Sequence, residues 1–109
     1  MKDDNLYLIH ILECIEKIES YTRDGREAFM STPLLQDAVM RNCEIIGEAA
    51  KRVSDTLRQA HPDVPWRRVA GFRDVLIHNY SGLDLEEIRS IVSVHLPGMK
   101  RMIEEIVRR

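Results

Sequence analysis

Along most of this chain an apolar residue returns every three or four positions, which is the repeat of an amphipathic helix. No stretch alternates apolar and polar residues long enough to build a convincing strand. Leu8, Ile11, Leu12, Ile15 and Ile18 form the first stripe, with Asp3, Asp4 or Asn5 available to cap its start. The pattern fades at Thr22-Arg23-Asp24-Gly25, which reads as a helix end and loop. Ser31-Thr32-Pro33 opens a second helix: either hydroxyl can cap, and proline suits the first turn. Its stripe includes Leu35, Val39, Cys43, Ile46, Ala50, Val53 and Leu57 and runs on to His61-Pro62. Gly47 in its middle predicts a close approach by a neighbouring group, because glycine costs a helix interior about 1 kcal/mol. Pro65-Trp66 starts a third, shorter helix through Val69, Phe72, Val75 and Leu76 to about His78, ended by Ser81-Gly82. Asp84 caps a fourth segment, striped by Ile88, Ile91, Val92, His95, Leu96, Met99, Ile103 and Ile106. Pro97-Gly98 is expected to kink or split it.

Four helical segments with short connections predict an all-α fold, an antiparallel up-and-down bundle of four to five helices. The 109 residues fit a single domain spanning 1–109. Hydrophobic residues make up 44% of the chain, too many for a disordered one. The net charge of −2 excludes a nucleic-acid coating protein held by bulk positive charge, but leaves room for a local phosphate site. The longest uninterrupted apolar run, Leu6-Tyr7-Leu8-Ile9, is far too short to span a membrane. Met1-Lys2-Asp3-Asp4-Asn5 is polar and acidic, unlike a signal peptide. Cys14 and Cys43 each fall in an apolar stripe and have no zinc-site spacing, so both read as reduced core thiols of a cytoplasmic protein. The expectation is that the protein uses neither a metal nor an organic cofactor.

Unusual polar residues gather in one place, Trp66-Arg67-Arg68-Val69-Ala70-Gly71-Phe72-Arg73-Asp74-Val75-Leu76-Ile77-His78-Asn79-Tyr80. At about 100° per residue, Asp74 and His78 share a helix face, so the carboxylate can hold the imidazole. Arg73 and His78 are five apart and diverge by roughly 140°. One straight helix therefore does not aim both at a small substrate, whereas a second copy across a two-fold axis can bring two sets into one cleft. Histidine moves protons near neutral pH, and arginine offers a planar fork to phosphate oxygens. With RNA, the 2′-hydroxyl supplies the nucleophile, so this set suits phosphodiester cleavage without a metal. Each residue alone also has a plainer reading: His78 as a cap, Asp74-His78 as a helix-stabilising pair, Arg67-Arg68-Arg73 as a solvated face, and Tyr80 as a core-edge aromatic. His10, His61 and His95 lack comparable polar company and read as structural. Asn42 and Glu48, on or beside the second stripe, are ambiguous.

The segment Arg73-Asp74-Val75-Leu76-Ile77-His78-Asn79-Tyr80 follows the pattern Arg, four residues, His, any residue, Tyr. In this it resembles the HEPN-domain ribonuclease toxins of the HepT type, which are encoded beside a minimal nucleotidyltransferase (MNT) antitoxin. The similarity extends to Ile45-Ile46-Gly47-Glu48-Ala49-Ala50, to Val64-Pro65-Trp66-Arg67 and to Ala70-Gly71-Phe72-Arg73. The resemblance implies a HEPN-like homodimer with the motif in a cleft between protomers. It implies a toxin of a type VII-like toxin–antitoxin system that cleaves RNA without metal, with Arg73 and His78 as the catalytic pair and Asp74 supporting them. It further implies that Tyr80 lines the cleft and is silenced by AMPylation by the cognate nucleotidyltransferase, with which the homodimer can form a larger hetero-oligomer. The rival reading is a non-catalytic helical module that binds a nucleotide or a partner protein.

Overall fold

The computed structural model describes residues 4–72, 74 and 85–108. Among the described residues helix predominates and there is no strand. The helices are α1 (Asp4–Tyr21), α2 (Arg26–Ser31), α3 (Pro33–Arg52), α4 (Asp55–Ala60), α5 (Trp66–Ala70), α6 (Leu85–Ser90) and α7 (Leu96–Arg108). A π-helical turn, Ile91–His95, joins α6 to α7 without a break. Helix α1 packs along α3 and against α7, and α3 also carries α5 and α2, giving an antiparallel all-α bundle.

The stripes read from the sequence are the faces that meet. Leu8, Ile11, Ile15 and Ile18 of α1 are fully buried, as are Val39, Cys43 and Ile46 of α3 and Ile103 of α7. Trp66, Val69 and Phe72 close the core from the α5 side. Cys14 and Cys43 are free and buried. Burial pushes both thiols up, that of Cys43 to about 12 with added effects of Cys14 and Glu44. Gly47 is buried within α3. Lys100 of α7 donates to Glu19 Oε1 of α1 at 2.9 Å, tying the two helices at the surface. Arg26 of α2 pairs with Glu86 of α6.

Three expectations need correction. The stretch after Gly25 is not only loop: it forms the six-residue helix α2. Gly25 supplies the positive φ of 94° that turns the chain, and its carbonyl accepts the Phe29 amide. Phe29 then drops fully into the core, and this burial supports a helix too short to stand alone.

The start of α3 is not capped by a hydroxyl. Thr32 occupies the cap position without a side-chain bond, while Ser31 Oγ donates back to Glu27 O at 2.8 Å. Gln36 Nε2 reaches back to the Phe29 carbonyl at 3.0 Å and stitches α2 to α3.

The second helix does not run to His61. It stops at Arg52, Val53 turns extended, and Ser54 caps the separate helix α4 by accepting the Leu57 amide at 3.2 Å. Asp4 holds this break. Its Oδ1 accepts the Ser54 amide at 2.9 Å and its Oδ2 accepts the Ser54 hydroxyl at 2.6 Å. Asp4, one of the three residues offered as a cap for α1, thus steadies the start of α4. Arg58 covers the exposed end of α3, with Nε and Nη2 donating to the Val53 carbonyl and Nη2 also to that of Lys51.

The disturbance expected at Pro97-Gly98 takes the form of the π-helical turn that divides the segment just before it. There the Leu96 amide bonds to the Ile91 carbonyl, five residues back. Pro97 then sits in the first turn of α7, where its missing N–H costs little. The cap assigned to Asp84 and the helix end at Ser81-Gly82 lie outside the described residues.

Candidate functional site

The polar segment is delivered by α5, and α5 is fixed from both sides. The chain leaves α4 at His61, whose carbonyl accepts the Val64 amide at 3.3 Å and the Trp66 indole Nε1–H at 2.9 Å. Pro65, with φ −79° and ψ 67°, makes an inverse γ-turn closed by the Trp66 amide on Val64 O at 2.8 Å. Trp66, Val69 and Phe72 turn inward, so Arg67 and Arg68 necessarily face solvent. Helix α5 ends earlier than the sequence predicts: the chain turns at Gly71, whose amide bonds back to the carbonyls of Arg67 and Arg68. A Cβ at Gly71 would stand 3.3 Å from the Arg67 carbonyl, a tight fit. Phe72 and Asp74 are helical again.

Of the four predicted site residues, Asp74 is described; it is helical and exposed. Arg73, His78 and Tyr80 lie outside the described residues, and so does the pairing of Asp74 with His78. Asn42 is settled as structural: it is buried, and its Nδ2 donates to the Ala38 carbonyl one turn back at 2.9 Å. Glu48 is exposed and borders a small cavity of about 160 Å³ together with Tyr7, His10, Ile45, Ala49 and Arg52.

One polar contact near the segment escaped the sequence reading. Arg68 Nη1 lies 3.4 Å from His95 Nδ1, in the π-helical turn. His95 therefore does have polar company, contrary to its reading as an isolated structural residue. The 27-residue separation hides the pair from any local pattern. Beside it, Val64, Pro65, Trp66, Arg67, Arg68 and Gly71 line an open groove of about 750 Å³. Among the described residues no group of three or more His, Cys, Asp or Glu side chains could hold a metal ion. Among them, too, no helix is long and apolar enough to cross a membrane.

This all-helical bundle, with its Arg-x4-His-x-Tyr segment following directly on α5, is HEPN-like. Residues 11–106 match the family described as ribonuclease HepT-like. A Thermococcus cleftensis protein named probable ribonuclease HepT is 41% identical over 101 residues, 92% of either chain. A Caldanaerobacter subterraneus protein, named an RNase by inference, is 38% identical over 110 residues, 100% of this chain and 98% of its own. A Methanocaldococcus jannaschii protein, whose name joins a gamma-glutamylcyclotransferase to an inferred RNase, is 44% identical over 107 residues. The match takes in 97% of this chain but only 48% of that relative, so the chain spans about half its length. No solved structure matches the chain significantly. The chain belongs to the HepT-like ribonuclease family.

Proposed function

We propose that this chain, as a single domain, is a metal-independent endoribonuclease, the toxin of a type VII-like toxin–antitoxin pair. The observation that carries the reading is the coincidence of a family match over residues 11–106 with Arg73, His78 and Tyr80 in the order and spacing of the HepT motif. The RNA 2′-hydroxyl attacks the adjacent phosphorus, and the bond to the 5′-oxygen of the next nucleotide breaks. His78 takes or gives the proton exchanged in this step. Arg73 binds the scissile phosphate and stabilises the charge that grows on its oxygens. Asp74, four residues earlier, orients His78.

The 140° divergence of Arg73 and His78 on a straight helix supports a homodimer whose two motifs share a cleft. Tyr80 is the regulatory site. A cognate MNT-type nucleotidyltransferase transfers AMP from ATP to its phenol oxygen, with loss of the phenol proton and release of pyrophosphate, placing negative charge and a base where the RNA phosphate must bind. The homodimer and its antitoxin then form a larger hetero-oligomer.

Cleavage of RNA by purified, unmodified chain in excess chelator tests the reading, and light scattering at micromolar concentration tests the dimer. Intact RNA after prolonged incubation refutes the nuclease. Cleavage that needs added metal refutes the metal-free route. A scattering mass of one 12.7 kDa chain refutes the composite cleft.

The net charge of −2 favours a second reading, a non-catalytic nucleotide- or partner-binding module, because a free ribonuclease gains from positive steering. Binding of nucleotide without any cleavage of RNA would select it.

A further inference from the structure

Some basic side chains are taken up by partners, and Arg67 and Arg68 are among the surface cations that are not. Arg26 has Glu86, Lys100 has Glu19, and Arg58 is spent on Asp55 and on backbone carbonyls. Arg67 and Arg68 are exposed, and no carboxylate among the described residues forms an ion pair with either. The polar neighbour of Arg68 is the imidazole of His95, another nitrogen group, at 3.4 Å. That contact is longer than a strong N–H···N or N–H···O bond, and it leaves most guanidinium donors free. Two nitrogen groups that converge from α5 and the π-helical turn are arranged to share an anion. A phosphate bridging them gains charge-assisted hydrogen bonds from the guanidinium and from the imidazole.

The groove beside Arg68 supplies what a phosphate alone does not need. It is lined by Val64, Pro65 and Trp66 as well as by the arginines, with an open mouth and a volume of about 750 Å³. A mostly apolar wall next to exposed guanidinium groups suits a nucleobase attached to its phosphate. Gly71, which borders the groove, stands two residues before Arg73 in the sequence. His95 closes the π-helical turn, and wide turns of this kind often mark functional positions in helices.

We propose that Arg68 and His95, with the Val64–Gly71 groove, form a subsite for a nucleotide flanking the scissile bond. Arg68 and His95 hold its phosphate, Arg67 adds charge at the rim, and the groove wall receives its base. The inference rests on the ribonuclease reading and adds to it a substrate that must extend beyond the two nucleotides being separated.

The test compares cleavage of a single-stranded oligoribonucleotide of about ten nucleotides with cleavage of a dinucleotide, using the full-length chain. The readout is the ratio of the two KM values, with thermal melts checking the fold of each variant. The wild-type chain should show a lower KM for the longer RNA. Arg68→Ala should narrow this ratio about tenfold, the effect of losing one charge-assisted contact of about 1.4 kcal/mol, with kcat on the oligonucleotide unchanged. It should also reduce the salt dependence of log KM by about 0.7, one phosphate contact on a single strand. Arg68→Lys should recover part of the ratio, and His95→Gln should lose part of it. A ratio unchanged in both Arg68→Ala and His95→Gln overturns the subsite. Equal losses on dinucleotide and oligonucleotide also overturn it, because the residue would then act on the fold or the reacting centre. If the wild-type chain cleaves neither substrate, the ribonuclease reading itself falls and takes the subsite with it. If it cleaves both and the ratio stays fixed, the subsite alone falls.

Discussion

The carboxylate of Asp4, at the start of α1, accepts both the amide and the hydroxyl of Ser54, fifty residues away, at 2.9 and 2.6 Å. Burial works against the charge on Asp4, yet the Ser54 hydroxyl and amide hold its carboxyl below the usual carboxylate value. The bond pair fixes the break between α3 and α4, because Ser54 also accepts the Leu57 amide. Asp4→Ala removes the acceptor for a half-buried amide and hydroxyl and should destabilise the fold by about 1–3 kcal/mol, read from urea unfolding. A depressed folded value means that the contribution is present above the unfolded value of about 3.8 and is lost as pH falls through the lower folded one. The difference between wild type and Asp4→Ala should therefore shrink below about pH 4. A difference that stays constant between pH 7 and pH 3 would show that the charge on Asp4 does not contribute.

Burial makes the thiols unreactive. The Cys43 thiol, pushed up to about 12, is almost wholly protonated at pH 8, and the thiolate is the reacting form. A thiol-specific reagent at pH 8 should label neither Cys14 nor Cys43 in the native chain and should label both after denaturation. Rapid labelling of the native protein would contradict the packing of α1 on α3.

The parts of the fold legible in the sequence are those whose cause is local. The stripes of α1, α3 and α7 bury Leu8 through Ile18, Val39 through Ile46 and Leu96 through Ile103 because spacing alone puts them on one face. Helix α2 offers no such signal: six residues carry one deeply buried side chain, Phe29, which sets no period. The break at Ser54 depends on Asp4 from the far end of α1, and the His95 contact depends on Arg68 from another helix. Pairings of this kind have no trace in local pattern. Pro97 was legible as a disturbance but not in its form, since the helix meets it by widening the preceding turn. At the site, the sequence carries Arg73, Asp74, His78 and Tyr80 as a motif, whereas the long-range contact of Arg68 needed the folded chain.

Tyr80 is the proposed switch, and its test is chemical. A phenol accepts an adenylyl group once a base removes its proton, and each AMP brings about one negative charge beside the place where RNA phosphate binds. Co-expression with the cognate nucleotidyltransferase should raise the chain's mass by whole AMP units on a peptide containing Tyr80, and the modified protein should not cleave RNA. Tyr80→Phe keeps the ring, loses the acceptor oxygen and should stay unmodified. Addition of AMP to Tyr80→Phe, or full activity of modified wild type, would contradict the switch.

The ribonuclease account stands on Arg73 and His78, and their substitution is its most direct measurement. Purified wild-type chain, Arg73→Ala and His78→Ala are incubated with single-stranded RNA in excess chelator, and product is followed on a gel, with thermal melts confirming that all three are folded. The account predicts cleavage by the wild type and a loss of at least a hundredfold in each variant, the range that a general acid–base group or a transition-state donor contributes. Cleavage by folded His78→Ala or Arg73→Ala at the wild-type rate would contradict it.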